Sequence, residues 1–174
     1  MKIAITNKII ILLTLLLSAC TSMPEQVTPV SPFELSRYTG TWYEIARMPH
    51  SFEEGLSKVT ATYSINEDGS VKVLNKGFNA EAGQWSSAEG KAKFVDGSDV
   101  GHLKVSFFGP FYSSYVVFKL DQEAYQYAYI SGFNTDYAWL LARTPEVEPA
   151  RVEDFKRELA ARGFAVDKLI MVTH

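Results

Sequence analysis

The chain has 174 residues, enough for one domain with a sizeable core, and its 47% hydrophobic and 21% charged content is that of a globular protein. A net charge of −3 offers no basic footprint for nucleic acid, and a single cysteine excludes both an intramolecular disulfide and a thiolate zinc cluster. The histidines His50, His102 and His174 are scattered without ligand spacing, so no metal and no cofactor are expected.

Residues 1–19 read as a signal peptide. Lys2 and Lys8 precede an almost pure hydrocarbon run, 9–17, which is too short to span a bilayer as a helix. Leu17-Ser18-Ala19-Cys20 resembles the lipobox of bacterial lipoproteins, in which the cysteine becomes the first mature residue and carries lipid. Removing 1–19 takes away two lysines and no acid, leaving 15 basic against 20 acidic side chains, a net charge of −5. In that family a residue other than Asp after the cysteine favours the outer membrane, and here it is Thr21. Residues 20–32 are expected to be the lipidated cysteine and a flexible tether, since Pro24, Pro29 and Pro32 punctuate a stretch with few apolar positions. Its twelve residues after Cys20 could reach about 40 Å. The domain proper is then 33–174.

Between Gly40 and Arg143 the period-two pattern marks eight strands, at 40–48, 57–66, 70–79, 86–95, 101–108, 112–120, 125–132 and 136–143. Asp68-Gly69 is a hairpin signal between the second and third, and Asp96-Gly97 is read the same way between the fourth and fifth. Gly109-Pro110 breaks the apolar run 103–118. Short strands at regular spacing argue for a barrel or sandwich rather than a βαβ sheet. One helix follows, with Pro149 at its first position, Gly163 just past its end, and Val152, Phe155 and Leu159 as its apolar stripe. Glu153 and Asp154 early and Arg157 and Arg162 late suit the helix dipole. Phe164 to Val172 reads as a short extra strand or tail.

Gly40-Thr41-Trp42-Tyr43-Glu44-Ile45, opening the first strand, resembles the GxW signature of lipocalins, and Leu140-Leu141-Ala142-Arg143-Thr144-Pro145 resembles their third motif. Of the middle motif only Asp121 and Tyr125 match at the topologically equivalent place, and the literal Thr135-Asp136-Tyr137 belongs to the opposite barrel end. Trp42-Tyr43-Glu44-Ile45-Ala46-Arg47, Val59-Thr60-Ala61-Thr62-Tyr63-Ser64 and 104–112 look like bacterial outer-membrane lipocalins and their apolipoprotein D-like relatives. The resemblance spans 33–174 and implies an all-β fold: an eight-stranded antiparallel up-and-down barrel with one C-terminal α-helix packed outside. It implies a calyx for a fatty acid, lysophospholipid or phospholipid, held for storage, transport or envelope maintenance, with attachment to the cell outer membrane through lipidated Cys20.

The residues are consistent with that reading. Gly40, Trp42, Asp121 and Arg143 are expected at the closed base, with the guanidinium over the indole. Loops near 49–56, 79–85, 108–113 and 132–136 then form an open rim rich in apolar side chains, among them Met48, Phe52, Phe78, Trp85, Phe108, Pro110, Phe111, Tyr112 and Phe133. Strand alternation selects Tyr63, Val73, Asn75, Phe107, Tyr115, Tyr127, Tyr129 and Trp139 to line the cavity, each with ordinary core packing as the alternative. Glu44 either joins them or lies on the outer face. His50 reads as a solvated loop residue and His102 as an outward one. No catalytic motif occurs, so no enzyme activity is expected. The alternative function is an interaction or structural envelope lipoprotein with a filled barrel whose aromatic rim binds a partner protein, and the Gly109–Ser114 loop could support a homodimer.

Overall fold

A computed structural model describes residues 21–174; the signal peptide expected over 1–19 and the lipidation expected at Cys20 lie outside the described residues. A four-residue helix, α1 (Leu35–Tyr38), leads into eight antiparallel strands. They are β1 (Gly40–Arg47), β2 (Leu56–Ile65), β3 (Val71–Asn79), β4 (Gln84–Phe94), β5 (His102–Phe108), β6 (Phe111–Leu120), β7 (Tyr127–Ser131) and β8 (Ala138–Ala142). Each pairs with the next, and β1 pairs with both β2 and β8, so the sheet closes on itself. The helix α2 (Pro149–Ala161) follows. A two-residue strand, β9 (Ile170–Met171), then pairs with the end of β1 where β2 has left it.

Two apolar clusters divide the molecule by side-chain parity. One lies inside the barrel around Trp42, Tyr63, Val73 and Leu141. The other lies outside, where Phe155 and Leu159 of α2, both fully buried, pack on Ala46, Val116 and Leu140. Gly163 has φ +81 and closes the helix, as only a residue without Cβ does at no steric cost. The acidic and basic side chains expected to serve the helix dipole do not: the first turn has no acid and the last no base. Asp154 and Glu158 instead each accept a hydrogen bond of 2.8 Å from Lys119 of β6, which ties the helix to the barrel wall.

Tyr127 and Tyr129 belong to this outer cluster, not to the cavity. Tyr129 pairs with Leu140 of β8 while Ile130 pairs with the inward Trp139, so the inward residues of β7 are Ala128 and Ile130. The Tyr129 hydroxyl donates to Asp154 Oδ2 at 2.7 Å, and the Arg151 guanidinium lies 3.4 Å from the centre of the Tyr127 ring. Their amphipathic character serves helix docking rather than ligand.

Two further expectations are corrected. Asp96-Gly97 is not a tight hairpin, because β4 ends at Phe94 and β5 begins at His102. The loop between them opens to receive the N-terminal segment: Phe33 N–H donates to Asp99 O, and Gly101 N–H donates to Val30 O. Val30 N–H in turn donates to Val117 O at 2.8 Å, and Val27 is buried in the outer cluster. The stretch 27–32 is therefore docked on the barrel rather than free, since its two valines find apolar cover that a solvated leash would forgo. Val27→Ala, which removes two buried methyl groups, is expected to lower stability by about 1.5 kcal/mol in urea unfolding. An unchanged midpoint would mean the segment is free in solution.

Candidate functional site

The closed end is built around Trp42. Its indole N–H donates to Tyr38 O at 2.8 Å, and the Arg143 guanidinium lies 3.9 Å from the ring centre. Arg143 also donates to the carbonyls of Arg37, Thr39, Thr41 and Tyr125, so one side chain joins the α1 segment, β1 and the β6–β7 turn. Gly40 has φ +94, and a Cβ there would meet Arg143 Nη1 at 3.4 Å. Asp121 shapes the turn through its carboxylate, which accepts from Ala124 N–H and Gln126 N–H. All four expected base residues are thus at the base.

Above it lies a cavity of about 510 Å³. Glu44, Tyr63, Val73, Asn75, Phe107, Tyr115 and Trp139 line it. At its floor three tyrosines meet: the Tyr115 hydroxyl is 2.7 Å from that of Tyr38 and 2.8 Å from that of Tyr63. Burial pushes the Tyr63, Tyr38 and Tyr115 phenols above their ordinary pKa, so they stay neutral donors and acceptors. Tyr38 was not legible from strand alternation, because it reaches the cavity from α1 rather than from a strand.

The wall carries charge, of which alternation offers Glu44 but not Arg47 or Glu53. Glu44 faces inward two residues after Trp42, and the register of β1 against β8 then slips between Glu44 and Ala46, a β-bulge that sends Ala46 to the outer cluster and turns Arg47 inward beside Glu44. Both are buried, and Arg47 Nη1 donates to Glu44 Oε1 at 2.8 Å while Nη2 donates to Glu53 O. Glu53, also buried, accepts from the Trp139 indole N–H at 3.1 Å. His50 is not solvated: its side chain is buried, stacks on Phe52 with ring centres 3.8 Å apart, and brings Nε2 within 2.9 Å of Glu53 Oε2, off the line of a hydrogen bond. His102, although on the outer parity of β5, is also covered, with Nδ1 3.1 Å from Asp96 Oδ2.

Two carboxyls thus face one guanidinium. Burial and the nearby Glu53 charge push Glu44 well above the ordinary glutamate range, against the pull of Arg47. Burial acts to raise Glu53 too, but His50, the Trp139 N–H and Arg47 outweigh it and hold Glu53 low. Glu44 is therefore the carboxyl that keeps the proton.

At the open end the rim is apolar and exposed. Phe108 is 81% and Phe111 78% accessible, and Phe52 and Trp85 are each 60% accessible. Met48 is an exception, buried against the outer cluster because its N–H pairs with Ala138 O. Among the described residues no three His, Cys, Asp or Glu side chains are gathered to hold a metal ion.

The family described as a lipocalin-like domain matches residues 33–174. The chain is 57% identical over 163 residues to the outer membrane lipoprotein Blc of Vibrio cholerae serotype O1, covering 94% of this chain and 95% of that one. It is 36% identical over 159 residues to apolipoprotein D of Macaca fascicularis, covering 88% and 81% respectively. Among solved structures it resembles insecticyanin from the tobacco hornworm Manduca sexta, with a TM-score of 0.69 at 21% identity over 88% of this chain and 87% of that one.

The buried acid pair has a consequence for pH. A glutamate whose folded pKa is raised binds its proton more tightly when folded, so its contribution falls as pH rises from the unfolded value near 4.5 through the raised folded value. Glu44→Gln is expected to remove that loss, making the variant progressively more stable than the parent as pH rises through this window. Urea midpoints of both proteins across the window measure it; parallel profiles would place the proton elsewhere.

Proposed function

The chain belongs to the lipocalin-like family, and on that premise we propose that it is an outer-membrane lipoprotein that holds a fatty acid or (lyso)phospholipid in its calyx. The observation that carries this reading is the open cavity, walled by aromatic and aliphatic side chains and rimmed by exposed aromatic rings. Its size and lining suit a flexible hydrocarbon chain, whose transfer from water contributes about 0.8 kcal/mol per buried CH₂. Few polar groups interrupt the wall, and several of them pair, Glu44 with Arg47, Tyr63 with Tyr115 and Glu53 with Trp139. The polar head then lies toward the rim. The role is binding rather than catalysis, and storage, transport or envelope maintenance all follow from reversible uptake. The exposed cavity argues against a barrel filled by its own side chains.

Anchoring rests on the lipobox-like sequence before Cys20 and on the outer-membrane lipoprotein that the chain resembles. Because 27–32 docks on the barrel, a lipid on Cys20 would keep the domain close to the membrane surface. Cys20→Ser is expected to move the mature protein from the membrane fraction to the soluble one. Its retention in the membrane would overturn the anchor.

Titration of residues 21–174 with fatty acids and lysophospholipids, followed by tryptophan fluorescence and calorimetry, tests the calyx. The expected result is saturable binding at one ligand per barrel. Trp139→Ala should weaken it roughly tenfold, since an aromatic wall is lost. Tyr129→Phe, on the outer face, should leave affinity unchanged. An intact fold that takes up no hydrocarbon chain would overturn the lipid-binding reading.

A further inference from the structure

The cavity floor carries unmet hydrogen-bonding capacity of both kinds. Tyr38, Tyr115 and Tyr63 hold three hydroxyl protons, and their two mutual hydrogen bonds use two of them. The third O–H has no acceptor among the described residues. Asn75, which lines the same cavity, supplies the complement: its Oδ1 is buried and accepts no hydrogen bond. The two are neighbours by register. Tyr63 of β2 pairs with Val73 of β3, which puts Asn75 on the diagonal position of the same inner face. Diagonal partners lie about 7–8 Å apart along the sheet, within reach of an aromatic side chain.

An unpaired donor and an unpaired acceptor in an apolar cavity each carry a desolvation penalty. One group relieves both at once: a hydroxyl, whose oxygen accepts from the tyrosine cluster and whose proton goes to Asn75 Oδ1. A carboxylate does not fit, because it has no proton for Asn75 and would share the cavity with the charge of Glu53. A bare methyl end leaves both groups unmet.

Building on the calyx reading, we propose that the floor formed by Tyr38, Tyr63, Tyr115 and Asn75 is a binding site for a hydroxyl group at the leading end of the lipid, so that the protein takes up hydroxylated chains as well as plain ones. The polar head of such a ligand stays toward the rim while its distal hydroxyl reaches the floor. The polar floor thereby reads chain length, since only a chain that spans the cavity brings its hydroxyl to the tyrosines.

The test compares dodecanoic, tetradecanoic and hexadecanoic acids with their ω-hydroxy counterparts, by calorimetry on the parent protein, Tyr63→Phe and Asn75→Leu. In the parent, one chain length should bind in its hydroxy form at least as tightly as its plain form, although the hydroxyl makes that chain the more soluble in water. Each variant should lose about tenfold in affinity for that hydroxy acid and none for the plain acid. A parent that disfavours the hydroxy acid at every length, as it would if the floor held only an ordered water, overturns the site without reference to the variants. The site is equally overturned if both variants keep the parent's ratio of hydroxy to plain affinity. Failure of every acid to bind the folded parent would instead remove the calyx reading, and the hydroxyl site with it.

Discussion

The contact on which the barrel depends is the stacking of Arg143 on Trp42. A closed sheet needs its first and last strands brought together at one end, and here the two residues stand near the start of β1 and just past the end of β8. The guanidinium covers the indole face, worth about 1 kcal/mol or more when partly desolvated. Its hydrogen bonds reach four backbone carbonyls contributed by three separate segments. Burial pulls the guanidinium somewhat below its ordinary pKa, yet it remains a cation in any condition under which the barrel is folded. A lysine would supply a point charge but not the planar fork that spans these segments.

A closed base also decides where polar groups can enter. Parity alone would place Trp42, Glu44 and Ala46 on the inside. The bulge at Ile45 breaks this sequence, sending Ala46 to the helix side and bringing Arg47 next to Glu44. Without the slip Glu44 would be a buried carboxyl with no guanidinium beside it, a costly arrangement. The bulge is thus what makes a charged group tolerable in the cavity wall, and the rim loop contributes Glu53 and His50 to the same cluster.

Much of this was legible in the sequence because it rests on local signals. The eight strands, the proline-started helix and the GxW and Arg-x-Pro ends all sit where alternation and turn residues place them. What was not legible depended on partners distant in sequence. Asp96-Gly97 has the composition of a hairpin, but Phe33 and Val30 compete for that loop's backbone. The tether looks like a spacer by its prolines, yet two valines suffice to dock it. Tyr38 reaches the cavity from a short helix and Arg47 reaches Glu44 through a bulge, neither of which leaves a period-two trace. Tyr127 and Tyr129 fall on the wrong face because alternation yields two sets of side chains without saying which is inward, and β8 decides that through Trp139 opposite Ile130.

That last case shows how one strand divides two tasks. On β7, Tyr127 and Tyr129 face α2, where a hydroxyl finds Asp154 and a ring finds Arg151. Ala128 and Ile130, between and beyond them, face the barrel interior with no polar atom in their side chains. Since the period is two, neither set can reach the other's surroundings without a register slip that would reverse both. Changes in the cavity floor therefore act through residues that do not touch the helix, and helix docking acts through residues that do not touch the cavity. Barrel lining and helix docking are set on opposite faces of the same strand, and each can be altered while the other is held.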